Sequence, residues 1–470
     1  MEIPSELKKI VFDCVKLLGQ AIKETYGEQM FDEIENLRQE MKKLRNKNSK
    51  IVTSALEKLY NHSKKEDSYL LHQKAKAFSL MLELINTCEV SYRSYKLEHL
   101  KICHGTIPTG MVFVFTSHPT EARSPQLLCI MDKIEVLIAR AIKTEIKEVE
   151  SQILYLLKMA LEIHLATNKK PKVSDEAAQI FHTVLNTSIL NEQLNLKEQG
   201  VNVFFNTWAG GDKDGHPLVG PATMIQSLSL SRNTLIDYMI NQLNDFIDEL
   251  RLLKKSQMVL RIKSLISKLN NSKKIKANDG HKIKKIKSSL KRLKYSSPIL
   301  ARLNDLIALY PAIVIPLEIR EDHKLVHAAL HDSKQPIALM LKKLKKISIG
   351  EEPRSYVNSF VVSMCMSPDD LIVAAELTGK IMGKLEIPIV PLFENESGLA
   401  NSTDILTHAF EKFPFKKIHK QSWGGQFEVM LGYSDSTKES GVLPGRLMVE
   451  NAIHKIEKLL MKAKLTLKIM

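Results

Sequence analysis

The sequence predicts a mainly α-helical protein with an α/β core, a (β/α)8 TIM-type barrel that is incomplete at about six strands and carries large added helical regions. Two observations predict it. From Met1 to about Thr106 the pattern is helical and charged, with few glycines. From Gly105 onward short apolar runs end in polar residues and lead into helical stretches, the rhythm of a parallel sheet with its site at the strands' C-terminal ends. Polar residues close nearly every run, which favours a barrel, whose loops all face one mouth. An open doubly wound sheet brings fewer loops together, near its switch point. An open sheet is able to stop at six strands, whereas a barrel needs eight to close.

The elements follow in order. Ile10, Val11, Cys14, Leu17, Leu18 and Ile22 recur at helical spacing, so Met1 to Gly27 is expected to be an amphipathic helix. Glu2, Glu6 and Asp13, with no small-residue cleavage site, argue against a secretory signal. Asn46 to Ser49 and Asn61 to Asp67 are expected to link helices. Met111 to Phe115 is the first strand, followed by a polar tip through Arg123 and a helical stretch from Pro125 to Thr167. Val201 to Thr207 has the β-branched and aromatic bias of a strand, and Thr223 to Leu253 is helical. Further strands are expected at Ala312 to Leu317, Val357 to Met366, Ile387 to Phe393, Phe427 to Leu431 and Leu465 to Ile469. Ser367-Pro368-Asp369-Asp370 spells a helix start, with Ser as N-cap, Pro at the first position and Asp370 closing a capping box. A helix is expected from Leu443 to Ala463. The domains expected are an N-terminal helical region, 1–106, and a partial barrel, 107–470, with helical insertions at 121–200 and 221–305.

At 470 residues, with 44% hydrophobic and 26% charged residues, the chain is long enough for a sizeable core. No apolar run reaches membrane-spanning length, and no membrane partner is expected. Five scattered cysteines, never in a CxxC pair, point to reduced thiols in a cytoplasmic protein without a zinc site. Much of the formal charge of +15 lies between Lys254 and Lys294. Such a run is most often a solvated face. No aromatic residues interleave the lysines to stack on bases, which argues against nucleic acid.

Trp208-Ala-Gly-Gly-Asp-Lys-Asp-Gly-His-Pro217 leaves almost no side chain free to bury. Alone it reads as a tight surface loop, but similar polar tips lie elsewhere. His118 stands at the end of the first strand, and its bland reading is a hydrogen-bonded turn residue. Glu394 and Asp435 each end a buried strand. Two carboxylates at neighbouring strand ends suit a hard divalent cation, Mg²⁺ or Mn²⁺. The alternative for Asp435 is an N-cap, because Ser436-Thr437-Lys438-Glu439 also fits a capping box. Arg320 is either a planar clamp for phosphate or carboxylate, or an ion-pair partner of Glu318 or Glu321. Lys213 and Lys438 add positive charge to the same mouth.

These motifs resemble the phosphoenolpyruvate carboxylase family of bacteria and plants. The resemblance rests on Phe115-Thr-Ser-His-Pro-Thr-Glu121, on Trp208 to Pro217 and on Val429-Met-Leu-Gly-Tyr-Ser-Asp-Ser-Thr-Lys-Glu-Ser-Gly-Val442. Leu317-Glu-Ile-Arg320, Ser359-Phe-Val-Val-Ser-Met364 and Pro391-Leu-Phe-Glu394 follow in the expected order. It implies carboxylation of phosphoenolpyruvate by bicarbonate to oxaloacetate and phosphate, dependent on Mg²⁺ or Mn²⁺ and without biotin. It further implies that Glu394 and Asp435 hold the metal, that His118 handles the carboxyphosphate intermediate, and that Arg320 binds phosphate. Lys438 joins His118 and Arg320 in the catalytic set, while Arg123, Gly211, Asp212, Lys213 and Asp214 shape the substrate site.

There are departures. Lys213 stands where the family usually has Arg and His216 where Asn is usual, and Thr437 and Glu439-Ser440 are slightly off the common pattern. The family's strand matching Leu465 to Ile469 continues into a His-Gly-Arg-Gly-Gly loop, so a truncated or split chain, weak or inactive alone, is expected. The expected partners are further copies of the chain (the family is usually tetrameric) or a complementing C-terminal chain, because an unclosed barrel exposes edge strands. Two other readings of function stand beside this one: a non-catalytic interaction or regulatory protein derived from the family, and a basic nucleic-acid-binding protein.

Overall fold

The computed structural model describes residues 3–45, 47–98, 110–116, 123–166, 172–214 and 216–469. Among these, seven strands form one parallel sheet: β1 (Gly110–Phe115), β2 (Asn202–Thr207), β3 (Leu317–Asp322), β4 (Val357–Ser363), β5 (Ile389–Phe393), β6 (Gln426–Leu431) and β7 (Thr466–Ile469). They pair in chain order from β1 to β7. An order without reversal has no switch point, so the doubly wound alternative is excluded and the sheet is a curled partial barrel.

Two expectations need correction. The strand count is seven and not about six, because Val201 to Thr207, whose strand bias the sequence shows but which stood outside that count, pairs with β1 in the same sheet. The third strand begins at Leu317 and not at Ala312. Ile313 has φ of 53°, outside the strand region, and Pro316 has no N–H for a ladder. The shift places Arg320 within a strand, not in the loop beyond it.

The central strands are apolar because both faces are covered. Phe360, Val362, Ile389 and Phe393 belong to the large core between sheet and helices. Val361, Val390, Leu392 and Met430 cluster separately, with Trp208 packed against them. The Pro368–Met382 helix starts as the sequence expects. Asp370 Oδ2 accepts the N–H groups of Met366 and Ser367, and the Asp370 N–H donates to the Ser367 backbone carbonyl at 3.3 Å.

The chain divides into two compact units. One gathers described residues from 1–106 and 119–171, and its helices Ser5–Tyr26, Ser68–Glu98, Pro125–Lys143 and Glu150–Glu162 share a core that includes Cys14, Leu18, Leu84, Ile134 and Leu157. The single helical stretch expected from Pro125 to Thr167 is broken where Thr144 leaves helical geometry, with φ of −122° and ψ of −112°. The other unit holds the sheet and the remaining helices. Four cysteines among the described residues are free thiols, and Cys14, Cys88 and Cys365 are buried. No described helix is long and apolar enough to cross a membrane.

At the entrance to β6, His419 lies between the rings of Trp423 and Phe427, at centroid distances of 4.3 and 4.6 Å. Its Nδ1 bonds the Gln426 carbonyl at 2.7 Å, which assigns the proton to Nδ1, and its Nε2 is buried without a partner. Burial lowers its pKa from 6.5 to about 4. The unfolded chain therefore binds this proton more readily, and stability falls as pH drops from 6.5 towards 4. Chemical denaturation across that range is expected to show the advantage of the wild type over His419→Phe shrinking by roughly 3 kcal/mol. A pH-independent difference would refute the buried neutral imidazole.

Candidate metal and anion site at the strand tips

β2 and β3 share a single register pair, Thr207↔Leu317. Beyond it the loop that follows β2 lies along β3 as a substitute strand. The Arg320 N–H donates to the Gly211 carbonyl at 3.0 Å, and the N–H groups of Lys213 and Asp214 donate to the Arg320 carbonyl at 2.9 and 3.1 Å. Two glycines make this approach possible. Gly210 has φ of +93°, and a Cβ on Gly211 would lie 2.3 Å from the Glu318 carbonyl oxygen.

The Arg320 guanidinium is fixed on three sides. Nε and Nη2 donate to the two oxygens of Asp212 at 2.6 and 3.1 Å, and Nη2 lies 2.8 Å from Asp214 Oδ2. Its plane sits over the Trp208 ring, 4.7 Å from the centroid. Trp208 is held in turn, its Nε1–H donating to Glu318 Oε2 at 2.8 Å, while Asn206 Nδ2 donates to Glu318 Oε1 at 3.1 Å. Ser363 Oγ donates to Asp214 Oδ1, tying the loop to the end of β4. Arg320 therefore pairs with neither Glu318 nor Glu321 as its bland reading required. Its partners are Asp212 and Asp214.

Burial pushes the Asp212 carboxyl up, against the pull of Arg320, and pushes Glu318 up as well. Burial also works against the charge of Arg320, but Asp212 and Asp214 outweigh it and its pKa rises. A planar cation held in this way meets a phosphate without first losing rotamer freedom. Glu318→Leu leaves three donors, on Asn206, Trp208 and Asn358, without this acceptor and is expected to cost about 1–3 kcal/mol. Glu318→Gln, which keeps an acceptor, should lose clearly less in urea denaturation; equal losses would refute the role given to that carboxylate.

Glu394 ends β5, buried, and its Oε1 accepts the Met364 N–H at 3.0 Å. The chain leaving β6 passes directly over it at Gly432, where a Cβ would come 2.4 Å from Glu394 Cβ. Helix Tyr433–Ser440 starts there with Gly432 as N-cap, so Asp435 lies in its first turn and is not the cap. Its carboxylate receives Lys438 Nζ at 2.7 Å. Two contacts secure the helix to the end of β5: the Glu396 N–H donates to Glu439 Oε2 at 3.0 Å, and Ser440 Oγ donates to Glu396 Oε2 at 3.3 Å. Burial raises the pKa of Glu394 against the pull of the Met364 N–H and the Arg320 charge, with smaller upward contributions from Asp214 and Asp435.

The turn at Gly432 thus brings the first turn carrying Asp435 next to the strand end carrying Glu394. Among the described residues no group of three or more His, Cys, Asp or Glu is placed to hold a metal. Carboxylate oxygens are the donor type that a hard divalent cation such as Mg²⁺ or Mn²⁺ takes, together with water.

The structure thus brings Gly211, Asp212, Lys213, Asp214, Arg320 and Glu394 into one unit with Asp435 and Lys438; Lys213 is buried. Arg123 belongs to the helical unit, where its Nη1 meets Glu83 Oε2 at 3.1 Å. His118 lies outside the described residues. Sequence reasoning missed Glu318 and the Ser363 hydroxyl as supports. Both lie inside quoted motifs, which was the one available signal.

A family model described as phosphoenolpyruvate carboxylase matches residues 7–109, 107–306 and 313–470. The phosphoenolpyruvate carboxylase of Pectobacterium carotovorum subsp. carotovorum (strain PC1) is 23% identical over 543 residues, covering 91% of this chain and 61% of that protein. That of Salmonella typhi is 24% identical over 558 residues, covering 93% of this chain and 62% of that protein. The chain thus spans about three fifths of the length of these relatives.

Proposed function

The chain belongs to the phosphoenolpyruvate carboxylase family, and from that premise we propose that its strand tips bind phosphoenolpyruvate with a divalent cation, Mg²⁺ or Mn²⁺, and serve its carboxylation by bicarbonate to oxaloacetate and phosphate. The observation that carries this reading is the packing of Gly432, which opens the helix bearing Asp435, against Glu394, together with a guanidinium, Arg320, locked by Asp212, Asp214 and Trp208. Glu394 and Asp435 are the residues that would hold the cation. When bound, it supplies positive field where negative charge builds on the substrate oxygen as the phosphoryl group leaves.

The chain's own groups do the rest. Arg320 takes the phosphate in a fixed orientation, and the mutual charge of Asp212 and Asp214 keeps it from swinging away. Lys438, paired to Asp435, and Lys213, buried in the same loop, add positive charge for a triply anionic substrate. His118 handles the carboxylated phosphate released within the site. No biotin is required, because the substrate's phosphoryl group activates bicarbonate. Buried free thiols at Cys14, Cys88 and Cys365 suit a reducing cytoplasm. The working form is an assembly of copies of this chain.

The test is oxaloacetate formation from phosphoenolpyruvate and bicarbonate with Mn²⁺, coupled to malate dehydrogenase, together with Mn²⁺-dependent binding of phosphoenolpyruvate. Binding that disappears in Asp435→Asn supports the site, and turnover lost in the same variant supports the reaction. Neither binding nor turnover in the wild type would overturn the proposal.

A further inference from the structure

The chain's positive charge is concentrated in one place. Residues 254–294 hold thirteen lysines and two arginines against the single Asp279, a net of +14 within a total of +15. Asp279 offers these lysines nothing, since it is fully buried against Arg232 and Tyr356. Among the described residues, ion pairs reach Lys273, through Asp237, and Lys287, through Glu351. The two helices of this stretch, Ser256–Asn270 and Asp279–Lys291, turn Val259, Ile262, Leu265, Ile283, Ile286 and Leu290 into the core. Their lysines are left mainly on the outer face.

The helical hairpin that opens this stretch has an unusual tip. The long helix Pro221–Leu252 buries its apolar stripe as far as Leu250 and then turns sharply. Lys254 takes φ of 55°, and the Lys255 N–H returns to the Leu250 carbonyl at 2.9 Å. Around that turn Leu252, Leu253 and Leu260 are 85%, 58% and 66% exposed. One exposed leucine needs no explanation. Three within nine residues, among the exposed Lys254, Lys255 and Arg261, form an apolar point flanked by cations, while Arg251 is paired with Asp248 at 2.8 Å.

We propose that this hairpin docks the protein peripherally on an anionic lipid bilayer, with the three leucines entering the boundary between headgroups and acyl chains and the lysines facing lipid phosphates. Attraction of clustered lysines to an anionic leaflet combined with a few buried apolar side chains is the chemistry of surface-bound helices. No spanning segment is involved. Nucleic acid fits the leucines less well, because a phosphate backbone offers them nothing to enter. Residues 254–294 contain no Phe, Trp or Tyr, and Tyr295, which follows them, packs against Phe246 at 5.6 Å between ring centroids and so is no platform for a base. The surface is separate from the strand-tip residues, and the proposal does not depend on the reaction assigned to them.

The experiment is co-sedimentation of the full chain with vesicles of equal parts phosphatidylglycerol and phosphatidylcholine, compared with pure phosphatidylcholine. The expected result is retention on the anionic vesicles only, weakening as salt rises. The combined variant Leu252→Ser, Leu253→Ser and Leu260→Ser changes only exposed positions, so its circular dichroism and melting should match the wild type. Its partition onto anionic vesicles is expected to fall by about an order of magnitude. Lys284→Glu with Lys285→Glu and Lys291→Glu should also weaken binding. Absence of anionic-vesicle binding overturns the proposal. So does undiminished binding by the leucine variant, or tighter binding to a duplex oligonucleotide at the same salt.

Discussion

Asp279→Ala is expected to remove about 3–5 kcal/mol of folding stability. Asp279 and Arg232 are both fully buried, with Nη1 2.7 Å from Oδ2. The same carboxylate oxygen accepts the Tyr356 hydroxyl at 2.9 Å, and Arg232 Nη2 donates to the Ala312 carbonyl at 2.8 Å. Burial and the neighbouring Asp279 charge hold the Tyr356 hydroxyl well above its ordinary pKa, so it remains a donor. Removing the carboxylate leaves a guanidinium without its counter-charge in the interior. Paired replacement by Asp279→Leu and Arg232→Met removes both charges and should cost less than Asp279→Ala alone. Urea denaturation decides it: a loss under about 1 kcal/mol for Asp279→Ala would mean that water reaches the pair.

Gly211→Ala is expected to disable the strand-tip site and to destabilise the fold by about 1–3 kcal/mol or more. The added Cβ would stand 2.3 Å from the Glu318 carbonyl oxygen and 3.0 Å from its carbon, both backbone atoms. The loop must then leave β3, which breaks the hydrogen bonds of Gly211, Lys213 and Asp214 to Arg320 and releases the clamp. Gly379→Ala is the control. Nothing lies within 4 Å of its Cβ, and its helical backbone tolerates alanine. It should gain about 0.5–1 kcal/mol. Thermal melting and phosphoenolpyruvate binding measured together test both variants, and Gly211→Ala binding as the wild type does would refute the packed loop.

What the sequence made legible was local. Ser367-Pro-Asp-Asp370 announced a capped helix because all its partners lie within four residues. Apolar runs ending in Glu394 or in Gly432-Tyr-Ser-Asp435 announced strands with polar tips because both faces of such strands are buried. The start of β3 was misplaced since Ala312 to Pro316 is as apolar as a strand, and only the φ of Ile313 excludes it. Asp435 as an N-cap was a fair alternative on spacing. It failed because the turn at Gly432 starts the helix early, under a steric demand from Glu394 that is 38 residues distant in the chain. The clamp on Arg320 was beyond sequence reasoning for the same reason: Asp212 lies 108 residues before it, and Trp208 lies 110 before Glu318. Such contacts follow from the topology and have no local signature.

The central claim is that Glu394 and Asp435 together hold a divalent cation. Mn²⁺ titration of the full chain, followed by the paramagnetic signal of free Mn²⁺ in the presence of phosphoenolpyruvate, tests it most directly. One Mn²⁺ per chain should bind, with affinity falling by about tenfold or more in both Glu394→Gln and Asp435→Asn. Binding that survives unchanged in both variants, or no binding in the wild type, would contradict the account.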